Sequence, residues 1–295
     1  VKTVLLTGAS GFIAGHLAAE LKRAGFRVLG TSRSGRPLEN FGRVFPGELG
    51  SPLAGVFENE TVDAVIHGAN YVGRGDESER RLNVEGTLLW AEQAKDAGVG
   101  VQMLLSSISA REDAPTAYGR AKFQIERWFL AHGQIVLRLG LVVGEGGICG
   151  RMIHLIRRLP VVPLLDNGRT PVFPVGIHDL GTVIRGMLEG APDSLRGKIW
   201  GLYQTSPVTM RELVEAIRRR LGTRRLFVPV PSAVALGLML VAERLPAVRL
   251  PISASNVRGL RESGRGQLHS DLETFGVSPR SIDELVAQAL ADPRL

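Results

Sequence analysis

Tyr118 and Lys122 stand one helical turn apart, so a helix carrying them presents both side chains on one face. That spacing has chemical content. A phenol of pKa about 10 exchanges protons poorly at neutral pH, and a neighbouring ammonium favours the phenolate. Ser106 and Ser107 close the apolar run Val101–Leu105, where a strand-end hydroxyl can hydrogen-bond a substrate oxygen that gains or loses a proton. A Tyr-x-x-x-Lys pair alone carries little weight, since helix surfaces supply it by chance. The order gives it weight: a glycine turn, Asn83, Ser107, then Tyr118 and Lys122, each at an element boundary.

The elements that must position these groups begin at the first residues. Lys2–Thr7 is rich in strand formers, Gly8-Ala9-Ser10-Gly11 turns, and Phe12 to Ala24 has helical apolar spacing through Phe12, Ile13, Leu17 and Leu21. Arg27–Thr31 reads as a second strand, which completes a βαβ unit with a Gly-rich first turn. Glycine there lets the backbone approach a pyrophosphate, and the following helix N-terminus favours the anion. At the end of the second strand stands Thr31-Ser32-Arg33-Ser34, with no acid before Glu39. Arg33 with the Ser32 and Ser34 hydroxyls suits a ribose 2′-phosphate that a carboxylate would repel, so NADP is preferred to NAD.

The alternation continues. Val62–Ala69 reads as a buried strand, Asn83–Thr87 as a helix start, Val101–Ser107 as a strand, Tyr118 onward as a helix and Ile135–Leu139 as a strand. This specifies a doubly wound, Rossmann-type parallel sheet, with Gly8, Ser32, Ala69 and Ser107 at the carboxyl ends of strands, where ligands bind.

Thr7-Gly8-x-x-Gly11-x-x-Ala14 is not the common Gly-x-Gly-x-x-Gly pattern. With Phe12-Ile13, Ser107, Tyr118 and Lys122, it resembles the extended branch of the short-chain dehydrogenase/reductase superfamily, the NAD-dependent epimerase/dehydratase family. The resemblance implies roles for these residues. Ser107 orients the substrate, Tyr118 is the catalytic acid/base, Lys122 activates it and holds the nicotinamide ribose, and Asn83 organises the site. Gly8, Ser10, Gly11, Phe12 and Ile13 form the cofactor cradle, and Gly47-Glu48-Leu49 resembles the family's adenine-side element, with Glu48 and Leu49 near the base. Ala69 and Asn70 line the cofactor after the fourth strand. Ser106 and Ser109 are the lesser serine candidates, and Gly15 is assigned to close helix–strand packing.

The latter part also resembles this branch. Arg138-Leu139-Gly140 stands where the family has Arg-Pro-Gly, Asp179 is placed to cap a helix, and Thr209 with Glu212 fits a capping box. Two departures concern the substrate. Ser107 and Tyr118 are only eleven residues apart, shorter than in typical nucleotide-sugar epimerases, and Pro171-Val172-Phe173 replaces an expected Arg-Asp-Phe element. Arg151, Arg169 or Arg258 could supply the missing cation.

The expected domains are 1–140 with about 175–203 for the cofactor, and 141–174 with 204–295 as a smaller, mostly helical substrate lobe. Pro160, Pro163, Pro171, Pro174, Pro229 and Pro231 are expected to break that lobe into turns. Within it, Ala233–Arg244 reads as an apolar core or subunit-facing helix and Arg261–Gly266 as a mobile loop.

The chain has 295 residues, 44% apolar and 22% charged, with a net charge of +7. That length can bury a large core without staples, and the single Cys149 excludes an internal disulfide framework and a Cys-rich metal site. His178 has no neighbouring ligand in sequence, and no metal is expected. Aromatic residues make up only 5% and the arginines fall in short helical groups, which argues against nucleic acid and for an anionic small-molecule substrate. No apolar run is long enough to span a bilayer and no signal pattern opens the chain, so a cytoplasmic protein without a membrane partner is expected. Family habit adds a homodimer.

Three functions follow. A sugar-nucleotide 4-epimerase or 4-ketoreductase comes first by resemblance. An NADPH-dependent reductase of a non-sugar ketone comes next, favoured by Arg33. A non-catalytic NADP-binding regulatory or assembly protein stands last, because such proteins usually lose the Tyr or the Lys.

Overall fold

The computed structural model describes residues 2–73, 77–190, 192–231, 233 and 269–291. In chain order the first half holds β1 (Thr3–Thr7), α1 (Phe12–Arg23), β2 (Arg27–Ser32), β3 (Arg43–Pro46), β4 (Ala64–His67), α2 (Glu77–Asp96), β5 (Val101–Ser107), α3 (Ala117–Ala131) and β6 (Ile135–Leu139). The next stretch holds β7 (Leu141–Val143), α4 (Gly147–Arg158), β8 (Val161–Leu165), β9 (Pro171–Val172), β10 (Pro174–Gly176) and α5 (Ile177–Glu189). The remainder holds β11 (Ile199–Leu202), β12 (Val208–Thr209), α6 (Met210–Arg220), β13 (Leu226–Val230) and α7 (Ile282–Ala289). No helix among the described residues is long and apolar enough to cross a membrane.

The chain forms two compact units, Val1–Leu139 with His178–Gly201, and Gly140–Ile177 with Leu202–Leu295. The first is built on a seven-stranded sheet in the order β11-β6-β5-β4-β1-β2-β3. The pairings from β3 through to β6 are all parallel. β1 and β4 are buried at every residue, as helices on both faces of a parallel sheet require. The chain first winds from β1 toward β3, then returns to β4 on the other side of β1. That reversal opens a crevice beyond the carboxyl ends of β1 and β4, where open α/β sheets bind ligands. This is the doubly wound Rossmann-type fold expected.

The second unit packs α4, α6 and α7 with three two-stranded ribbons, β10–β7, β12–β9 and β13–β8, around a core that includes Ile153, Ile156, Val172, Leu213, Ile217 and Leu285. The capping box at Thr209 and Glu212 is present. Several prolines expected in turns lie in strands instead: Pro163 in β8, Pro171 in β9, Pro174 in β10 and Pro229 in β13. A two-stranded ribbon leaves one edge of each strand unpaired, so a missing N–H is tolerated there.

Local expectations shift elsewhere. α2 begins at Glu77 rather than Asn83, and Asp179 lies inside the first turn of α5. Gly15 has open space where a Cβ would stand, so it does no close packing. The expected helix beyond Ala233, the loop 261–266 and Arg258 lie outside the described residues.

Candidate active site

The β1–α1 turn is shaped for close approach. Gly8 has φ +76°, and a Cβ there would stand 2.9 Å from the Cα of Ala69. The Gly11 amide donates to the Gly8 carbonyl at 2.8 Å. Gly11 is the N-cap of α1 but offers no side chain to cap it, and the first turn carries no acid. Ser10 and Gly11 are exposed, and Phe12 and Ile13 are half-buried. An uncapped helix N-terminus behind a glycine cradle suits a dinucleotide pyrophosphate. Thr7, part of the motif but given no role from sequence, fixes this geometry: its hydroxyl oxygen accepts from the amides of Gly68 and Ala69 at 3.0 and 3.1 Å. A threonine directly before the first glycine of the motif was the signal available.

At the end of β2, the Ser32 hydroxyl is buried and accepts from the Gly35 amide at 3.2 Å, which holds the turn. Arg33 is exposed on that turn and makes no hydrogen bond or ion pair with the described residues. Glu48 is exposed. Leu49 is buried, its side chain in the core with Leu53, Val65 and Trp90.

Beyond β4, Ala69 is half-buried and Asn70 exposed. Asn83 is 4% exposed and its amide is fully engaged. Oδ1 accepts from the Tyr71 amide at 2.8 Å, and Nδ2 donates to the carbonyls of Tyr71 and Glu79 at 2.9 and 3.0 Å. Placed in the second turn of α2, Asn83 pins the loop after β4 and has no proton to lend to chemistry. Glu79 assists by accepting from the Gly73 amide at 2.8 Å.

Ser107, Tyr118 and Lys122 come together. Thr116 caps α3 by accepting from the Gly119 amide at 3.1 Å. Gly119 is required, since a Cβ there would meet the Ser109 carbonyl and the Ala114 Cβ at 2.6 Å. The helix start is thereby pressed onto the loop after β5, and Tyr118 reaches Ser107 in a hydrogen bond. Ser109 is closer than expected, its hydroxyl 2.9 Å from that of Ser107, with its amide donating to Ser107 Oγ at 3.2 Å. Ser106 turns away to Glu126. Lys122 is buried, its Nζ 5.8 Å from the Tyr118 ring centre and donating to the Leu105 carbonyl at 2.8 Å.

The electrostatics differ from the simple expectation that Lys122 brings the phenol down. Burial pushes Tyr118 up to about 12, against the opposing hydrogen bond from Ser107. Burial likewise brings Lys122 down to about 8, with the Glu126 carboxylate resisting. Desolvation, with the Glu126 carboxylate adding to it, outweighs the Ser107 hydrogen bond, so Tyr118 holds its proton at neutral pH.

Among known proteins, the chain is 26% identical over 282 residues to a ceramide reductase of Caulobacter vibrioides (strain NA1000 / CB15N), covering 91% of this chain and 84% of that protein. It resembles the structure of UDP-glucose 4-epimerase with UDP-glucose from Thermotoga maritima, at a TM-score of 0.71, 17% identity and 98% of each chain, a likeness of fold. It also resembles MoeE5 in complex with UDP-glucose and NAD, at a TM-score of 0.65 and 25% identity, over 78% of this chain and 85% of that one. The family of NAD dependent epimerases/dehydratases matches residues 4–170, more than half of the sequence, and the chain belongs to that family of enzymes.

Proposed function

We propose that the protein is an NADP(H)-dependent reductase that acts on a ketone, with Tyr118 as the proton donor. The convergence of Ser107, Tyr118 and Lys122 at one strand end carries this reading. A bound nicotinamide supplies the hydride. The residues of the chain manage the oxygen that becomes a hydroxyl. Ser107 donates a hydrogen bond to it, with Ser109 Oγ in reach of Ser107 to keep that hydroxyl oriented. Tyr118 gives its proton to the developing alkoxide, and Lys122 offsets the phenolate left behind. A phenol pushed up to about 12 is protonated at neutral pH, the form from which a reduction starts.

The NADP preference rests on Arg33, exposed beside the end of β2 with no carboxylate in that turn. The substrate class draws on the ceramide reductase likeness, which spans most of both chains. On that support the substrate is a ketone on an apolar chain, such as the keto form of a ceramide. A second reading, a sugar-nucleotide epimerase, draws on the MoeE5 likeness and its UDP-glucose complex.

One experiment separates them. The purified protein is denatured, any released nicotinamide is identified, and exchange is tested in the native state. The reductase reading expects exchangeable NADP(H), and NADPH consumed with a keto-ceramide but not with a UDP-sugar. Tightly held, non-exchanging NAD would overturn it in favour of the epimerase.

A further inference from the structure

Tyr118, Lys122 and Glu126 recur every fourth residue along α3, so all three share one face of the helix. Glu126 is a carboxylate with a side chain only 2% exposed. Burying such a charge is unfavourable unless its oxygens are fully engaged. Here they are. Ser106 Oγ donates to Oε1 at 2.5 Å, Arg138 Nε donates to Oε1 at 3.0 Å, and Arg138 Nη2 donates to Oε2 at 2.6 Å. Ser106 and Arg138 are direct cross-strand neighbours in the β5–β6 register. The carboxylate therefore clamps the working face of α3 to two adjacent strands of the sheet.

The cluster also answers an imbalance in the site. Lys122 is buried, and its hydrogen-bond acceptor is the neutral carbonyl of Leu105. Among the described residues, the other charged groups around α3 do not offset its ammonium. His67 of β4 is neutral at physiological pH, with its proton affinity brought down to about 4. Arg138 of β6 is a cation. On α2, Glu77 is paired with Arg80, which also bonds Gln124, and Glu92 is engaged by Lys95 and Trp128. Gln124 lies about 200° around α3 from Lys122, and Trp128 about 200° from Glu126. Glu126 is the carboxylate whose field reaches Lys122.

We propose that Glu126 is a positioning residue for this reaction: hydrogen-bonded by Ser106 and ion-paired with Arg138, it fixes the face of α3 that carries Tyr118 and supplies the buried carboxylate that keeps Lys122 an ammonium. This rests on the reading of Tyr118 and Lys122 as proton donor and cation. It assigns the paired arginine of the β6 exit an indirect part in the chemistry, transmitted through two residues of one helix.

The test reads Lys122 without turnover. The chain has five lysines, Lys2, Lys22, Lys95, Lys122 and Lys198, so lysine-selective isotope labelling of the full chain gives few side-chain NMR signals, and Lys122→Met assigns the one of interest. Wild-type Lys122 is expected to titrate near its value of about 8. Glu126→Gln is expected to lower that midpoint by about one pH unit or more, and Glu126→Asp, which retains the charge, by less. The paired Glu126→Gln/Arg138→Met variant leaves neither an orphan cation nor an orphan carboxylate, and serves if Glu126→Gln does not fold. Titration curves that superimpose on wild type would overturn the proposal and leave the cluster a structural clamp.

A parallel Tyr118→Phe assay of NADPH consumption with a keto-ceramide keeps the two claims apart. Loss of turnover with an unshifted Lys122 defeats only the Glu126 proposal. Retained turnover in Tyr118→Phe, beside a shifted Lys122, defeats the proton-donor reading and leaves the charge coupling standing.

Discussion

The Cα of Ala69 lies 2.9 Å from where a Cβ on Gly8 would stand, so the turn after β1 and the exit of β4 meet in backbone contact. Gly8 also has φ +76°, a region that side chains other than glycine rarely adopt. Gly8→Ala combines strain and clash, with an expected loss of about 1–3 kcal/mol in stability and of NADPH binding. Gly15 supplies the control. It lies in α1 with open space around it, so Gly15→Ala is expected to add about 0.5–1 kcal/mol while NADPH binding stays unchanged. Thermal unfolding and NADPH fluorescence titration of both variants check this pair. NADPH binding at wild-type strength by Gly8→Ala would show that the turn is not the cradle.

Tyr118→Phe removes one hydroxyl and leaves the ring and its packing. A positioned proton donor contributes about a hundredfold to ten-thousandfold, so kcat is expected to fall by that range with NADPH affinity retained. Ser107→Ala is expected to cost less, since Ser109 Oγ stands 2.9 Å from Ser107 Oγ and can offer a replacement hydroxyl. Equal losses in NADPH affinity and in kcat for Tyr118→Phe would point to a binding role for the phenol instead.

The sheet and the order of its chemical groups were legible because fully buried strands write themselves as continuous apolar runs, as in Val4–Leu6 and Met103–Leu105. Glycine turns mark their exits. Four things were not legible. β3 is four residues with only Val44 and Phe45 buried, too short to carry a periodic signal. The start of α2 was set six residues late, because Asn83 looked like a helix opener while its amide in fact serves the Tyr71 backbone across a loop. Leu49 was placed by analogy with a motif beside the adenine, and the packing of its side chain into the core depends on Trp90 and Leu53, which sequence spacing does not relate to it. The joint role of Ser106, Glu126 and Arg138 likewise needed the β5–β6 register, a long-range property.

Arg33 is exposed and makes no ion pair with the described residues, so its loss leaves little to repair in the fold. A charge-assisted contact to a 2′-phosphate is worth about 1.5–3 kcal/mol. Arg33→Ala is therefore expected to weaken NADPH about tenfold to a hundredfold and leave NADH nearly unchanged, with a salt dependence confined to the wild-type NADPH titration. Matched losses for both cofactors would mean that Arg33 stacks on the adenine and reads no phosphate.

His67 closes β4 at 2% exposure beside the ring of Phe129. Its Nε2 lies 2.8 Å from Gln102 Oε1, while Gln102 Nε2 donates to the Ala91 carbonyl at 3.0 Å. The glutamine oxygen is thus turned toward the ring, His67 carries its proton on Nε2, and the neutral form is the one the site accommodates. Burial brings its proton affinity from the ordinary 6.5 down to about 4. The unfolded chain therefore binds a proton between those values that the folded chain refuses, so this group's contribution is complete above pH 6.5 and is lost as pH falls toward 4. The difference of 6.5 − 4 corresponds to about 3 kcal/mol at most. Urea unfolding of wild type and His67→Gln at neutral pH and at pH about 5 isolates this part from the other carboxylates and histidines. The wild type is expected to lose more stability than the variant over that interval. Parallel losses would mean that acid opens the β4–β5 region enough to hydrate the imidazole while the rest of the sheet stays folded.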